Sequence, residues 1–467
     1  MQPIKLPDIP AEPNLNGIDP LDGRYFDPEI AKYLSERSRI AYQAYVEAAL
    51  AHALADAGVI SKEIAMQIEE AAGRVRAETV AEHEKTTKHD VKALVNTIKA
   101  ELSDEAKPYV HFGATSYDIV ATALSLQLRD ATHNVVIPRL IELQKTLLNL
   151  TKQYADTVQV GRTHGQHAVP ITFGFAMAEY VDRLGASIKS LQVLSGKLKG
   201  KFSGGVGAYN ALSLFVEDPI TFEKSVLGYV GLEPASYSTQ IVPAENYVRL
   251  LDELAITAGI MANLGHDMRH LQRTEIAEVR EAFDPGQTGS STMAHKRNPW
   301  NFENVISMSK QVNAQIMNAY QNIASEHQRD LTDSASARFY VVVLASVASM
   351  AERLNRVMAK IEVDSQNMER NLYMSGGAIA AEPLYLLLEK YGHTTAHEVS
   401  KALSHKALEA GKTLYEIASH DHDIAEYFAK FTDDEKKILQ EPERYYTGLA
   451  SQKAMSVYDY WSSPLQA

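Results

Sequence analysis

Tyr247-Val248-Arg249-Leu250-Leu251-Asp252-Glu253-Leu254-Ala255-Ile256-Thr257-Ala258-Gly259-Ile260-Met261-Ala262-Asn263-Leu264-Gly265-His266-Asp267-Met268-Arg269-His270-Leu271 contains no proline, and its apolar residues fall in alternating steps of three and four. Tyr247, Leu250, Leu254, Met261, Leu264, Met268 and Leu271 form a seam, with Thr257 at its one polar position. This is the heptad spacing of helices packed side by side. Working outward, Leu140, Leu143, Leu147 and Leu150 repeat the pattern, as do Val343, Val347, Met350, Leu354 and Val357. No proline occurs between Pro243 and Pro285 or between Pro299 and Pro383, and no glycine between Gly289 and Gly376. Stretches so free of breakers favour long helices. A helix of about 30 residues spans about 45 Å, and its seam needs partners, so several should lie together as a bundle. The expected fold class is all-α.

Composition narrows the function. The chain has 467 residues, enough for about three domains at roughly 150 residues each. Lys and Arg number 46 against 59 Asp and Glu, for a formal charge of −13. That disfavours a general nucleic-acid binder, whose affinity comes from cationic phosphate contacts, but leaves room for a local anion pocket. There are no cysteines, which excludes disulfides, thiolate nucleophiles and Cys-ligated metals. The longest apolar region, 339–350, falls short of a membrane span. Residues 1–20 are broken by prolines and acids and do not read as a secretory signal. A cytoplasmic protein, with no membrane partner, is the expectation.

Three helical regions are expected: 1–108, a central long-helix bundle over 109–361, and a smaller region over 362–467. The first should include a helix over 33–57 stopped by Gly58. The last should include a helix capped by Thr394 or Thr395 and ended near Ala410 by Gly411. Short strand candidates are 158–160 and 238–242.

Five polar, breaker-rich segments interrupt the helices: 86–90, 111–116, 161–167, 203–207 and 285–299. Loops at the ends of a rigid bundle are where function tends to sit. The last, Pro285-Gly286-Gln287-Thr288-Gly289-Ser290-Ser291-Thr292-Met293-Ala294-His295-Lys296-Arg297-Asn298-Pro299, packs glycines, hydroxyls, three cationizable side chains and an amide into fifteen residues. Its Lys296, Arg297 and Asn298 can bind an oxyanion or carboxylate. The plainer reading is a solvated loop leading into a helix.

Gly289-Ser290-Ser291-Thr292-Met293-x-x-Lys296-x-Asn298-Pro299 resembles the signature loop of the fumarase/aspartase superfamily. Gly113-x-Thr115-Ser116-x-Asp118 and Gly161-Arg162-Thr163-His164-Gly165-Gln166 resemble its other two segments, in the same order. Within the superfamily the chain most resembles the adenylosuccinate lyases. The resemblance rests on Asp22-Gly23-Arg24-Tyr25, Thr87-Lys88-His89-Asp90-Val91-Lys92-Ala93, Ser238-Thr239-Gln240-Ile241, and Arg329-Asp330-Leu331-Thr332-Asp333-Ser334 followed by Arg338. Ala294, Ala121 and the Ala244-Glu245 pair depart from the usual pattern.

The resemblance implies a three-domain lyase fold whose long helices join in a tetrameric core, with each site shared by three subunits. It implies a small nucleotide substrate and C–N cleavage with release of fumarate, from adenylosuccinate or from the succinylated aminoimidazole carboxamide ribotide. The succinyl carbon loses a proton and the adjacent carboxylate takes up charge as an aci-carboxylate, which needs fixed donors. Lys296 and Asn298 fit that role. Ser290 corresponds to the general base, activated by nearby cations and closure of its loop; on the alternative reading it only hydrogen-bonds the loop. Ser291 then binds a carboxylate. His164 corresponds to the general acid toward the departing nitrogen. Glu275, expected on the seam helix, either orients His164 or is a surface carboxylate.

Lys88, His89 and Asp90 belong to the matched substrate-positioning segment, Thr115 and Ser116 to the fumarate carboxylates, and Gln240 and Asn304 to further substrate contacts. Arg24, Tyr25, Arg329, Ser334 and Arg338 form the expected phosphate set, since arginine matches phosphate geometry in a bidentate fashion. Gly204-Gly205-Val206-Gly207 lacks the spacing of a dinucleotide fingerprint. No metal-ligand spacing appears, and the implied reaction calls for no cofactor. Two alternatives remain: another lyase of the same fold, such as argininosuccinate lyase or a carboxymuconate cycloisomerase, and a non-catalytic, crystallin-like structural protein.

Overall fold

The seam residues meet their expectation except Leu271, which is half-buried. Leu140, Leu143, Leu147, Leu250, Leu254, Val343, Val347, Met350 and Leu354 are fully buried in the computed structural model, which describes residues 14, 20–283, 286, 292, 293 and 295–463. Thr257 is buried as well, and its hydroxyl donates to the Glu253 carbonyl at 2.8 Å, so the polar seam position carries no unsatisfied group. Besides Glu36–Asp56, five long helices are Ile137–Gln153, Phe173–Ser195, Glu245–Leu271, Trp300–Gln321 and Tyr340–Met358. The longest has 27 residues, or about 40 Å.

Two compact units are present. One comprises Met1–Leu140, Ser187–Met261 and Ser307–Glu352; the other comprises Ile141–Ala186, Ala262–Ile306 and Arg353–Ala467. Each boundary falls within one of the five long helices.

The core of the first unit is built on Glu36–Asp56. Its small residues Ala44, Ala48, Ala49, Ala51 and Ala53 are buried with Leu50 and Leu54, in one cluster with Ile68, Leu94, Ile98, Ile119 and Leu126 from neighbouring helices. The expected 33–57 helix is instead two, Pro28–Leu34 and Glu36–Asp56. Ser35 leaves the helical conformation and accepts from the Ser38 N–H at 3.2 Å, capping the second. Gly58 follows at φ 73°, the stop expected of it.

In the second unit, Val158–Thr163 and Gln166–Thr172 form an antiparallel hairpin, longer than the three-residue strand candidate. Its register shifts between Val160 and Arg162. Gly161 sits there because a Cβ would come within 2.6 Å of the Val169 carbonyl oxygen. The strand expected over 238–242 does not form; those residues are bends and irregular backbone. The helix expected in the last region is Ala396–Ala410, with Thr395 at its N-cap position and Gly411 at φ 63° after it, although Thr395 makes no side-chain cap bond. Among the described residues, no helix is long and apolar enough to cross a membrane.

Candidate active site

In the first unit, five separated stretches of sequence line one cavity of about 400 Å³. His89, Asp90, Ser116, Gln240, Ser334 and Arg338, all expected site residues, are on its wall. His89 caps the Asp90–Ala100 helix; its Nδ1 accepts from the Lys92 N–H at 3.3 Å. That leaves Nε2 to carry the proton in a neutral ring, 3.4 Å from the Ser116 hydroxyl. Lys88, just before it, is held in the left-handed region at φ 52°, a conformation that costs a side-chain-bearing residue about 1 kcal/mol or more. Asp90 lies between two guanidinium groups, Arg338 at 3.4 Å and Arg39 at 3.6 Å.

Thr115 and Ser116 open the 16-residue helix Ser116–Ala131. A capping box closes this helix start, with Asp118 accepting from the Thr115 N–H at 2.9 Å, and the positive end of the helix dipole suits a carboxylate. The segment before it is pinned. His111, at φ 63°, bonds the buried Glu47 at 2.7 Å. Burial opposes protonation of His111, but the Glu47 carboxylate outweighs it and holds the imidazole above its ordinary pKa. Gly113 leaves room for Phe215, whose ring would be 2.4 Å from a Cβ. The 203–207 segment lies alongside, with Gly205 facing the Thr115 hydroxyl.

The Gln240 N–H donates to the Gln328 carbonyl at 3.1 Å, joining that segment to the loop carrying Ser334 and Arg338. Asp330 shapes this loop, accepting from the Thr332 N–H and the Glu326 N–H, both at 2.9 Å. Hydrogen bonding from the Thr332 hydroxyl and these amides holds its carboxyl down at about 2. Arg329 does not line the cavity: its guanidinium is buried against Asp333. Arg24 is exposed and Tyr25 half-buried just after the short Pro20–Asp22 turn; neither lines the cavity. Cavity-wall residues without a sequence signal include Gln43, Tyr117, Gln127 and Tyr340. Ala121, one of the departures noted above, is also on the wall.

In the second unit, His164 and Gly165 form the two-residue turn between the hairpin strands, with φ of 53° and 71°. Positive φ at both positions is the type I′ geometry that matches strand twist. The turn leaves His164 exposed at the tip. Below it, Arg162 pairs with Glu278, whose side chain is fully buried and also accepts from Gln159 at 2.7 Å and Asn371 at 2.8 Å. Glu278 thus anchors the hairpin, a role carried by no motif. Glu275 is not on the seam helix, which ends at Leu271; it sits in the following turn and pairs with Arg273.

Ser290 and Ser291 lie outside the described residues. Lys296 and Arg297 are exposed and Asn298 is half-buried. The Arg297 guanidinium lies 5.6 Å from the centre of the Phe283 ring. The loop's exit is fixed by the buried Glu281, which accepts from the Asn301 and Phe302 N–H groups at 3.0 and 3.1 Å and from the Asn301 amide at 2.8 Å. Burial pushes the Glu281 carboxyl up against these hydrogen bonds. Asn304 follows, half-buried on Trp300–Gln321.

Hydroxyl, amide, imidazole and guanidinium donors around one cavity suit an anionic substrate. Residues 26–314 match the family model described as lyase, and residues 325–434 match that of the adenylosuccinate lyase C-terminal region. Among solved structures, a fumarate lyase from Mesorhizobium sp. BNC1 superposes with a TM-score of 0.83 at 23% identity, covering 94% of this chain and 99% of that one. A 3-carboxy-cis,cis-muconate lactonizing enzyme from Pseudomonas putida superposes with a TM-score of 0.83 at 28% identity, covering 95% and 100%. The fold is therefore that of the helical lyases. Adenylosuccinate lyases from Methanocaldococcus jannaschii and Pyrococcus horikoshii are 35% and 38% identical, over 93% and 95% of this chain and 94% and 98% of their own lengths. The chain belongs to the adenylosuccinate lyase family.

Proposed function

We propose that the protein eliminates fumarate from adenylosuccinate to give AMP, and from the succinylated aminoimidazole carboxamide ribotide to give the free carboxamide, in purine biosynthesis. The observation that carries this reading is the shared cavity of His89, Asp90, Ser116, Gln240, Ser334 and Arg338 in a member of this family. Thr115, Ser116 and Gln240 bind the succinyl carboxylates, and His89 with Lys88 and Asp90 positions the nucleotide. Ser334 and Arg338, joined by Arg24, Tyr25 and Arg329, take the phosphate. Ser290 removes the carbon proton, Lys296 and Asn298 stabilise the aci-carboxylate, and His164 protonates the departing nitrogen. Ser291, Arg297 and Asn304 complete the carboxylate contacts.

The enzyme works in the cytoplasm as a homotetramer, each site drawing residues from three chains. The exposure of His164 and Lys296 supports this, because proton transfer and charge stabilisation both need a site from which water is excluded. Its three-part division is 1–108, 109–361 and 362–467. Light scattering gives the assembly, and limited proteolysis the division. Absorbance assays of purified protein with adenylosuccinate test the activity: fumarate release that depends on the substrate's 5′-phosphate is expected. Equal turnover without the phosphate would favour another lyase of this fold, and no turnover the structural alternative.

A further inference from the structure

Behind Thr115 lies a buried charge pair that does not line the cavity. Lys201 and Asp118 form an ion pair whose side chains are 0% and 1% exposed. The Lys201 ammonium donates to Asp118 Oδ1 and, at 3.1 Å, to the Gly204 carbonyl. The same Asp118 oxygen accepts from the Ser203 and Gly204 N–H groups at 3.2 and 3.3 Å, while Oδ2 accepts from the Thr115 N–H at 2.9 Å. The Lys201 backbone is held on both sides by the Thr122 hydroxyl, at 3.1 Å from its N–H and 3.1 Å from its carbonyl. One buried pair therefore ties the start of the Ser116–Ala131 helix to the 203–207 segment.

The link continues. The Ser203 and Ser238 hydroxyls are 2.7 Å apart. Gly207, at φ 82°, packs so tightly on Ser238 that a Cβ would be 2.0 Å from its carbonyl oxygen. Two residues on, Gln240 reaches Gln328. Three segments with candidate substrate contacts are thus held in fixed register around one buried charge pair.

A buried ion pair contributes little net stability compared with apolar side chains of the same volume, because both charges lose their hydration. What it supplies is direction: an ammonium aligns a carboxylate, and an apolar side chain does not. We propose that Lys201 is a positioning residue, which through Asp118 holds the Thr115–Ser116 helix start and the 203–207 segment so that Ser116 and Gln240 meet the substrate carboxylates together. This rests on the reading of Ser116 as a carboxylate contact.

The test is a kinetic cycle on the full-length protein with adenylosuccinate, run well below the melting temperature of every variant. Ser116→Ala is expected to raise KM about 10-fold, the size of one lost charge-assisted hydrogen bond. Lys201→Met is expected to raise KM at least as much, with a smaller change in kcat. The double variant is expected to match Lys201→Met alone, since Ser116 is then already misaligned. If the two effects multiply instead, or if Lys201→Met lowers only the melting temperature, Lys201 is structural and the proposal fails while the reading of Ser116 stands. If Ser116→Ala leaves KM unchanged, that reading fails and takes the proposal with it. Should Lys201→Met not fold, Asp118→Asn combined with Lys201→Met leaves no orphan charge, and the same outcomes apply to it.

Discussion

The cavity wall of the first unit and the groups of the second proposed to carry the chemistry are built in opposite ways. Around the cavity, His89 caps a helix, Ser116 opens another, and Asp90 is gripped by Arg39 and Arg338. These groups are fixed by the fold of one unit before any ligand arrives. His164 instead stands exposed on a two-residue turn, and Lys296 and Arg297 are exposed in the signature segment. Rigidity in the second unit lies one step back, in Glu278 beneath the hairpin and Glu281 beneath the loop exit. Groups that recognise substrate gain from preorganisation, because ordering them on binding costs affinity. Groups that transfer protons act only once water is excluded, so they can be left open until a partner surface or a closing loop covers them.

The largest effect that would sharpen this contrast is on turnover. Ser290→Ala should lower kcat at least ~100-fold with little change in KM, as expected for loss of a general base. His164→Gln should lower kcat comparably, as expected for loss of a general acid. A nearly unchanged rate in either variant would erase the contrast, because the chemistry would then lie elsewhere.

A smaller effect of the opposite kind is expected in the cavity. Arg338→Leu should raise KM about 10-fold or more while kcat changes less, since a charge-assisted phosphate contact contributes mainly to binding. An equal fall in kcat with KM unchanged would place Arg338 with the chemical groups and break the division.

The smallest effect concerns the support beneath Thr115 and Ser116. The folded His111 pKa lies above its unfolded value, so the His111–Glu47 pair stabilises the protein fully below the ordinary histidine pKa and less as pH rises through the raised value. His111→Gln should therefore lower the melting temperature more at pH 5.5 than at pH 9. Lys99, which also faces Glu47, is pushed below the usual lysine range by its own burial, then by Lys92. A melting difference independent of pH, read by scanning calorimetry, would show that the imidazole acts here by packing alone.

The sequence alone determined the helical bundle, because a heptad seam in a stretch free of proline can be buried only by other helices, and the seam residues are buried as read except Leu271, which is half-buried at the helix end. It also picked out, by motifs whose residue types chemistry requires, four of the segments that line the first unit's cavity: those of His89, Ser116, Gln240 and Ser334. Local signals were weaker where a tertiary partner decided the outcome. Nothing in 33–57 marks Ser35 as a break, and Ser238–Val242 has strand-like composition yet is bent around Gly207. His164-Gly165 became a hairpin turn only because strands paired on either side of it. Lys201, Glu278 and Glu281 had no sequence signal at all. A buried charge is recognisable only by the partners that surround it, and those partners lie tens to more than a hundred residues away along the chain. Periodicity is a property of neighbours in sequence, whereas the alignment of a carboxylate is a property of neighbours in space.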